Sequence, residues 1–474
     1  MLKIYTQAFV NRMIFKSITV QRRKVSALYV TGDKAKENNA IIYPYMDFKQ
    51  TFQNREELQN SISRRKSSID LSNILEKYKT YNKFKEEIQQ LDQQRAQIAV
   101  KLRNLSKSEG GNSEIEALKE QGISLRNSVK SLKEKFYPIE DDFIHSFLDI
   151  PNLLHKHCPS NGEENILYRS NVPRIEEGEM HLKRTDLIRF EDNSRYYLFE
   201  EAAEFDYKAT QALLRYFVFD GDFIPMSNPD FVRAILLEAN ATPMDDYHMV
   251  MEQNLINKLN PSYLVGGGSF ESFLGAVTKL CVYPNVIPLR CVSSGRSYHK
   301  ARNVTNATTE NLFTAIQTNA VQTFAAATNQ EEADALMEEI LNLAIDFYKA
   351  LNIHFRIVYA DASDLKISEN LRAVIEAYSP VEKRFISVGH VSNYADFVSK
   401  RILFSMQKEK ENHFLHIVGG PVLETTRLIG LLIEQNIPLE KCKLLGAFEE
   451  EMTYDFPVDV KPPEPIDKFR KLFE

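Results

Sequence analysis

The chain has 474 residues, of which 43% are hydrophobic and 26% are charged, a composition typical of a globular protein with buried cores. Its net charge of -6 argues against a protein that coats nucleic acid with its whole surface. It has 17 glycines and neither G-x-x-x-x-G-K-[ST] nor G-x-G-x-x-G, which argues against the common glycine-loop nucleotide folds. No apolar run approaches the roughly 18 residues that a membrane span needs.

The first 32 residues are basic and contain no acidic residue. Apolar side chains are interleaved with six basic ones: Lys3, Arg12, Lys16, Arg22, Arg23 and Lys24. An acid-free, amphipathic start that contains arginine is typical of a mitochondrial transit peptide. We therefore predict a removable leader over residues 1–32 and a location in the mitochondrial matrix. A disordered basic tail is the alternative.

Residues 71–137 carry two apolar seams that flank a polar turn with Gly110 and Gly111. Spacings of mostly three and four residues define the seams: Ile74, Tyr78, Tyr81, Ile88, Leu91, Ile98, Leu102 and Leu105, then Ile115, Leu118, Leu125, Val129, Leu132 and Phe136. Pro138 is expected to end the second helix. The pattern predicts an antiparallel helical hairpin, within a region of residues 50–140, that projects from a larger body.

The hairpin is more basic than the rest of the chain. Residues 71–137 hold 13 Lys and Arg against 9 Asp and Glu, a net charge of +4. Basic residues outside the seams are candidate RNA contacts: Lys77, Lys83, Lys101, Arg103, Lys107, Arg126, Lys130 and Lys133. A projecting basic rod can follow a phosphate backbone. Coiled coils also carry charged faces without any ligand, and the hairpin by itself leaves both interpretations open.

After a linker of residues 141–180, the region 181–474 mixes helices and strands. Helices are predicted at 201–219, 231–238, 244–259, 331–351 and 425–434, and strands at 286–292, 355–359, 384–389, 404–407 and 414–418. Strands in runs, with helices grouped between them, favour an α+β fold with an antiparallel sheet.

The four cysteines form no C-x-x-C pair, and we predict free thiols. His155, His157 and Cys158 lie close together in the sequence, but no second cluster of ligands accompanies them. We predict neither a metal nor a cofactor.

Three segments follow one another in a characteristic order. Residues 151–165 resemble P-N-x-x-H…P-x-G-x-x-E-x-N, Glu201-Ala202-Ala203 resembles the helix that enters motif 1, and residues 392–401 resemble S-N-x-x-D-F-Q-x-R-R. With the preceding hairpin they resemble the seryl-tRNA synthetases, a family of class II aminoacyl-tRNA synthetases. The resemblance covers about residues 60–450. It implies a class II antiparallel-sheet body, a coiled-coil arm that contacts tRNA, and a dimer.

The resemblance also implies that catalytic groups are missing. His299 and Ala301 stand where motif 2 of the family has Arg and Glu, and Gln322 stands where the family has a later Glu. Ser387 replaces the Glu before the S-N pair, and Thr426 replaces the Arg of motif 3. A shift of one residue in the last alignment restores Arg427. Glu271 and Asn393 are candidate vestigial ligand contacts. Glu271 belongs to Ser269-Phe270-Glu271, where the family has T-x-E. The alternative is that the segments around Glu271 and Asn393 have only a structural role.

We therefore interpret the chain as a catalytically inactive seryl-tRNA synthetase-like protein that resembles an insect mitochondrial group of such proteins. It is expected to bind serine tRNAs, without ATP binding or serine-tRNA ligase activity. It is also expected to pair with itself or with an active mitochondrial seryl-tRNA synthetase. One alternative is a working ligase with an altered site. The other is a structural or regulatory partner that does not bind RNA.

Overall fold

A computed structural model describes residues 26–32, 42–105, 112–160, 162, 164–176, 186–250, 261–300, 311–408 and 411–447. Lys107, Ala301 and residues 1–25 of the predicted leader lie outside these ranges. Among the described residues, no helix is long and apolar enough to cross a membrane.

The N-terminal region forms a helical arm. Its helices are α1 (Phe48–Gln53), α2 (Arg55–Arg64), α3 (Leu71–Leu105) and α4 (Asn112–Leu148). Helices α3 and α4 run antiparallel along the predicted seam, whose described side chains are buried or half-buried. Gly122 occupies a seam position on α4, and a Cβ atom there would lie 3.9 Å from Ile98 on α3. The predicted hairpin is therefore present.

Helix α4 continues through Pro138 to Leu148, so the prediction that this proline ends the helix is wrong. A proline inside a helix costs about 3 kcal/mol. Beyond it, Phe143 and Ile144 are 0% and 1% exposed, and the Phe143 ring lies 5.0 Å from that of Phe48. Burial of such side chains contributes roughly 1.5–3 kcal/mol each, enough to offset the proline.

The body follows in an α+β arrangement. In chain order its elements are β1 (Asn165–Arg169), β2 (Ile188–Asp192), β3 (Arg195–Leu198), α5 (Glu200–Phe219), β4 (Ile224–Pro225), β5 (Phe231–Arg233), α6 (Ala234–Ala239), β6 (His248–Val250), β7 (Ser262–Leu264), α7 (Phe270–Val277), β8 (Cys281–Val282), β9 (Leu289–Tyr298), β10 (Gln317–Ala327), α8 (Gln330–Ala350), β11 (Phe355–Tyr359), β12 (Leu371–Ser379), β13 (Arg384–Ala395), α9 (Phe397–Ile402), β14 (Ser405–Lys408), β15 (Glu411–Phe414), β16 (His416–Glu424) and α10 (Thr425–Glu434).

An eight-stranded sheet of order β1-β11-β12-β13-β16-β10-β9-β4 organises the body. Its neighbours are antiparallel except for the parallel pair of β4 and β9. Strand β10 separates two cores: Val321 and Ala325 pack with α5, α8 and α10, whereas Phe324 and Ala326 pack with α6, α7 and α9. We call the second side the α7 face. The predicted α+β class with an antiparallel sheet is confirmed.

Two predicted helices differ from the structure. Residues 231–238 divide into strand β5 and the short helix α6. Residues 244–250 form one 3-10 turn and strand β6, and residues 251–260 lie outside the described part. Strands β5, β6 and β7 pair into a small sheet, and this pairing overrides the helical periodicity. Strands β10 and β12 were not predicted at all.

Candidate functional site

The two described motif 2 positions lie on the α7 face of the central sheet. His299 directly follows β9, and its Nε2 lies 3.2 Å from Ser297 Oγ. Its ring lies 5.7 Å from that of Tyr247. Gln322 pairs with Ser293 across β9 and β10, is 1% exposed, and donates from Nε2 to the Thr323 carbonyl at 2.9 Å. Both side chains therefore have partners within the protein.

The motif 3 region lies where β16 ends and α10 begins. A bulge between Pro421 and Leu423 shifts the register of β16 against β10. Thr426 is 2% exposed, and its backbone N–H donates to Thr318 Oγ1 at 3.3 Å. Arg427 instead reaches strand β13, where its Nη1 donates to the Ser387 carbonyl at 3.3 Å.

Of the two aligned residues, Arg427 is therefore the one whose side chain extends to a neighbouring strand of the site. Its Nη1 also pairs with the Glu424 carboxylate, one turn earlier in the chain. This carboxylate offsets the positive charge that a phosphate would need. Ser387 is half-buried, and its hydroxyl donates to the Gly389 carbonyl at 3.4 Å.

Glu271 lies near the start of α7 and is 3% exposed. Its Oε1 accepts hydrogen bonds from Asn240 Nδ2 at 3.2 Å and from Thr242 Oγ1 at 3.1 Å. The neighbouring Phe270 stacks on Tyr394 with ring centroids 4.4 Å apart, and it lies 5.9 Å from Phe324. Aromatic rings thus occupy the interior beside Glu271, and one of its oxygens is already shared by two donors.

The other candidate vestigial contact lies elsewhere. Asn393 is fully buried, and its Nδ2 donates to Asp334 Oδ1 at 3.1 Å, toward helix α8. Tyr394, the next residue on β13, packs in the core of the α7 face. Because successive strand residues point to opposite faces, Asn393 and Glu271 are not brought together.

A buried ion pair that was not predicted lies on the α7 face. Glu369 is 0% exposed, and its Oε1 accepts from Arg372 Nε at 3.1 Å and from Ser392 Oγ at 2.9 Å. Burial by itself raises the pKa of Glu369, but the charges of Arg372 and Lys366 and the hydrogen bond from Arg372 together outweigh burial and hold that pKa at about 2. Burial and then the Arg372 charge lower the pKa of His390 well below its ordinary value. Nothing in the spacing of these residues indicates the pair, because it depends on tertiary burial.

The histidine cluster of the linker makes structural contacts. His155 Nε2 lies 3.2 Å from Asp334 Oδ2, and the His155 and His157 rings are 5.1 Å apart. Within the described ranges, no group of three or more His, Cys, Asp or Glu side chains is arranged to hold a metal ion. All four cysteines are free thiols.

The candidate RNA contacts of the arm divide into two groups. Lys77 Nζ lies 3.0 Å from Asp142 Oδ2 and 2.8 Å from Ser146 Oγ, and Lys133 Nζ lies 3.6 Å from Asp92 Oδ2. The remaining described ones are exposed: Lys83, Lys101, Arg103, Arg126 and Lys130. Lys83, Lys101, Arg126 and Lys130 retain positive charge that is available to a ligand, whereas the two paired lysines hold the arm together.

Comparison with known proteins places the arm and the sheet in one family. Residues 46–154 match the seryl-tRNA synthetase N-terminal domain, and residues 280–436 match the tRNA synthetase class II core domain (G, H, P, S and T). A Drosophila melanogaster protein, "Serine--tRNA synthetase-like protein Slimp", is 52% identical over 95% of this chain and 96% of its own length. The mitochondrial serine--tRNA ligase of Bos taurus is 24% identical over 90% of this chain and 85% of its own length.

Solved structures have the same fold. The seryl-tRNA synthetase of Pyrococcus horikoshii, complexed with ATP, matches with a TM-score of 0.69 and 18% identity, over 82% of this chain and 94% of that one. The cytoplasmic serine-tRNA ligase of Naegleria fowleri, in complex with AMP, matches with a TM-score of 0.67 and 15% identity, over 80% of this chain and 90% of that one. The chain therefore belongs to the seryl-tRNA synthetase family of class II synthetases, as a seryl-tRNA synthetase-like member.

Proposed function

We propose that the chain is a catalytically inactive seryl-tRNA synthetase-like protein of mitochondria that binds serine tRNAs through its arm. The observation that carries this proposal is that the described side chains at the expected catalytic positions already bind neighbouring groups of the protein. His299, Gln322 and Ser387 replace charged groups and form short-range hydrogen bonds, and Arg427 is paired with Glu424.

Magnitudes support the loss of catalysis. Adenylate formation develops charge on phosphate oxygens, which fixed cations and metal-binding carboxylates must stabilise. Removal of one preorganised donor typically costs on the order of 10²–10³ in rate. A neutral histidine is a poor replacement for a guanidinium, which grips phosphate in a bidentate manner. The replacement of several such groups is expected to abolish adenylate formation, although the separate losses are not additive.

The geometry of the arm supports RNA binding. Helix α3 has 35 residues, equivalent to a rod of about 50 Å. Lys83 and Lys101 lie exposed along it, and Arg126 and Lys130 lie exposed on α4. A rod with distributed positive charge suits recognition of an RNA by shape and phosphates rather than by base edges.

The basic, acid-free N-terminal segment supports a mitochondrial location. The mitochondrial serine--tRNA ligases of Bos taurus and Mus musculus, both similar over about nine tenths of this chain, agree with it. We infer further that the chain pairs through its motif 1 helix, with a second copy or with an active mitochondrial seryl-tRNA synthetase. In either assembly the chain would add an arm for tRNA and thereby support mitochondrial translation.

An ATP–pyrophosphate exchange assay with serine tests the catalytic part, with the bovine mitochondrial ligase as the positive control. We expect no exchange above the enzyme-free blank. Serine-dependent exchange would instead establish a working ligase with an altered site, in which Arg427 would hold phosphate after separation from Glu424.

A gel-shift titration with mitochondrial serine tRNAs at low salt tests the RNA-binding part. We expect retarded complexes. Absence of retardation would favour a structural or regulatory partner that does not bind RNA. Co-purification from mitochondria distinguishes a homodimer from a heterodimer with the active enzyme.

A further inference from the structure

Seven residues of the predicted leader are packed into the folded protein. Residues 26–32, which we call the strap, run between helix α6 of the body and helix α4 of the arm. Glu238 on α6 accepts three hydrogen bonds from the strap: from Ser26 Oγ at 2.7 Å, from the Ala27 N–H at 3.0 Å and from the Leu28 N–H at 2.7 Å. One carboxylate thus holds the first three strap residues.

The other end of the strap is fixed to the arm. Tyr29 donates from its hydroxyl to Glu140 Oε1 at 3.1 Å, and Thr31 donates from its hydroxyl to Asp141 Oδ1 at 3.0 Å. Gly32 has φ +60°, and a Cβ atom there would lie 3.0 Å from the ring of Tyr137. A glycine suits both this left-handed backbone conformation and the close approach.

The strap also contributes to both hydrophobic cores at this junction. Leu28 is 2% exposed and Ala27 is 7% exposed, and both pack in the core of the α7 face. Tyr29 packs against the core at the base of the arm. Removal of the strap would expose apolar surface on both units and would leave the Glu238 carboxylate without three donors, which is unfavourable for a half-buried charge.

The sequence changes character at the same point. The last basic residue of the N-terminal segment is Lys24, and the strap, Ser-Ala-Leu-Tyr-Val-Thr-Gly, carries no charge. Its neutral donors meet three carboxylates, those of Glu238, Glu140 and Asp141. The boundary between leader-like and structural sequence therefore lies between Lys24 and Ser26, not after residue 32.

We propose that the strap is retained in the mature protein, where it fixes the arm to the body, and that the processing site of the leader lies before Ser26. The processing part rests on the mitochondrial location proposed above. The structural part does not, since it follows from the contacts of residues 26–32 alone.

The structural part is tested with two recombinant chains, one that begins at Ser26 and one that begins at Asp33. We expect the shorter chain to melt at least about 3 °C lower. We also expect backbone amides of α6 and of residues 139–148 on α4 to exchange with deuterium at least about tenfold faster. Equal melting temperatures and equal exchange would overturn the role of the strap.

A point variant covers the case in which the shorter chain fails to fold. Glu238→Gln removes the charge and turns one acceptor oxygen into a donor that faces the strap. It is expected to accelerate exchange in the strap and at 139–148, whereas Glu411→Gln, a change at an exposed acid on β15, is expected to leave exchange unchanged. Equal effects of the two variants would contradict the proposal.

The processing part is tested by import of the full chain into isolated mitochondria, followed by mass spectrometry of the mature N-terminal peptide. A mature protein that begins at or before Ser26 is expected. A start at any residue after Ser26 would overturn the proposal. An uncut chain would overturn the processing part and count against the proposed location, while the recombinant pair would still decide the role of the strap.

Discussion

The arm offers a quantitative test, because the structure separates its free basic residues from its paired ones. Lys83, Lys101, Arg126 and Lys130 are exposed and make no ion pair within the described part of the chain. Lys83 and Lys101 alone are separated by about 27 Å along α3. We predict that replacement of all four by alanine strongly weakens binding to serine tRNA.

Counterion release sets the size of the effect. Each phosphate contact contributes roughly 0.7–0.9 to the slope of log Kd against log salt concentration. Loss of four contacts therefore lowers the slope by about 3. At about 0.15 M salt each contact is equivalent to about a four- to fivefold change, so the four together weaken binding on the order of 10²–10³-fold.

The assay is a fluorescence anisotropy titration of labelled serine tRNA at several KCl concentrations. The double variant Lys77→Ala and Lys133→Ala is the control, because these lysines already pair with Asp142 and Asp92. It is expected to change the slope by less than the exposed set does. An unchanged slope for the four-residue variant, or an equal change for the control, would refute the assignment of the RNA-binding surface.

Three further predictions concern stability, each followed by circular dichroism. Glu369→Gln leaves the half-buried Arg372 without a counter-charge and is expected to lower the free energy of unfolding by about 3 kcal/mol in urea, with Glu411→Gln as a silent control. Because the pKa of Glu369 is lowered from 4.5 to about 2, this difference in free energy is complete above pH 4.5 and shrinks as pH falls through 2. A difference that does not change with pH would contradict the ion pair. Burial raises the pKa of Glu434 to about 7, so the stability that its protonated form contributes is complete below pH 4.5 and is lost as pH rises through 7. Glu434→Gln should therefore raise the melting temperature at pH 8 and not at pH 5. An effect of this variant that does not depend on pH would argue against the raised pKa. Phe270→Ala removes a stacked ring that is 5% exposed and should cost about 3–5 kcal/mol, whereas a cost below about 1 kcal/mol would mean that the ring does not fill the interior.

The arm could be predicted from the sequence because its signal is local. Seam residues three and four apart in the chain lie on one helical face, and α3 and α4 bury that face against each other. The ends of α4 were less predictable. Pro138 has a strong local preference to stop a helix, and only the packing of Phe143 and Ile144 at the base of the arm overrides it.

The candidate site was partly predictable because motifs keep their order along the chain. The resemblance predicts His299, Gln322, Ser387 and Thr426 at the catalytic positions, whereas their hydrogen-bond partners are known only from the structure. Strand β10, rich in alanine and without clear alternation, gave no strand signal, although it pairs with both β9 and β16 at the centre of the sheet. Its burial on both faces explains the missing period of two.

The sequence by itself indicated the family, the order of its parts and the basic arm, and it predicted which residues replace the catalytic groups. Only the tertiary structure decided that Arg427 extends to β13, that Lys77 and Lys133 are already paired, and that residues 26–32 belong to the folded protein. Helical periodicity and motif order are properties of neighbouring residues. Burial, ion pairing and the docking of a strap depend on residues that are far apart in the sequence, such as Ser26 and Glu238, which are 212 positions apart. Such contacts exist only after folding.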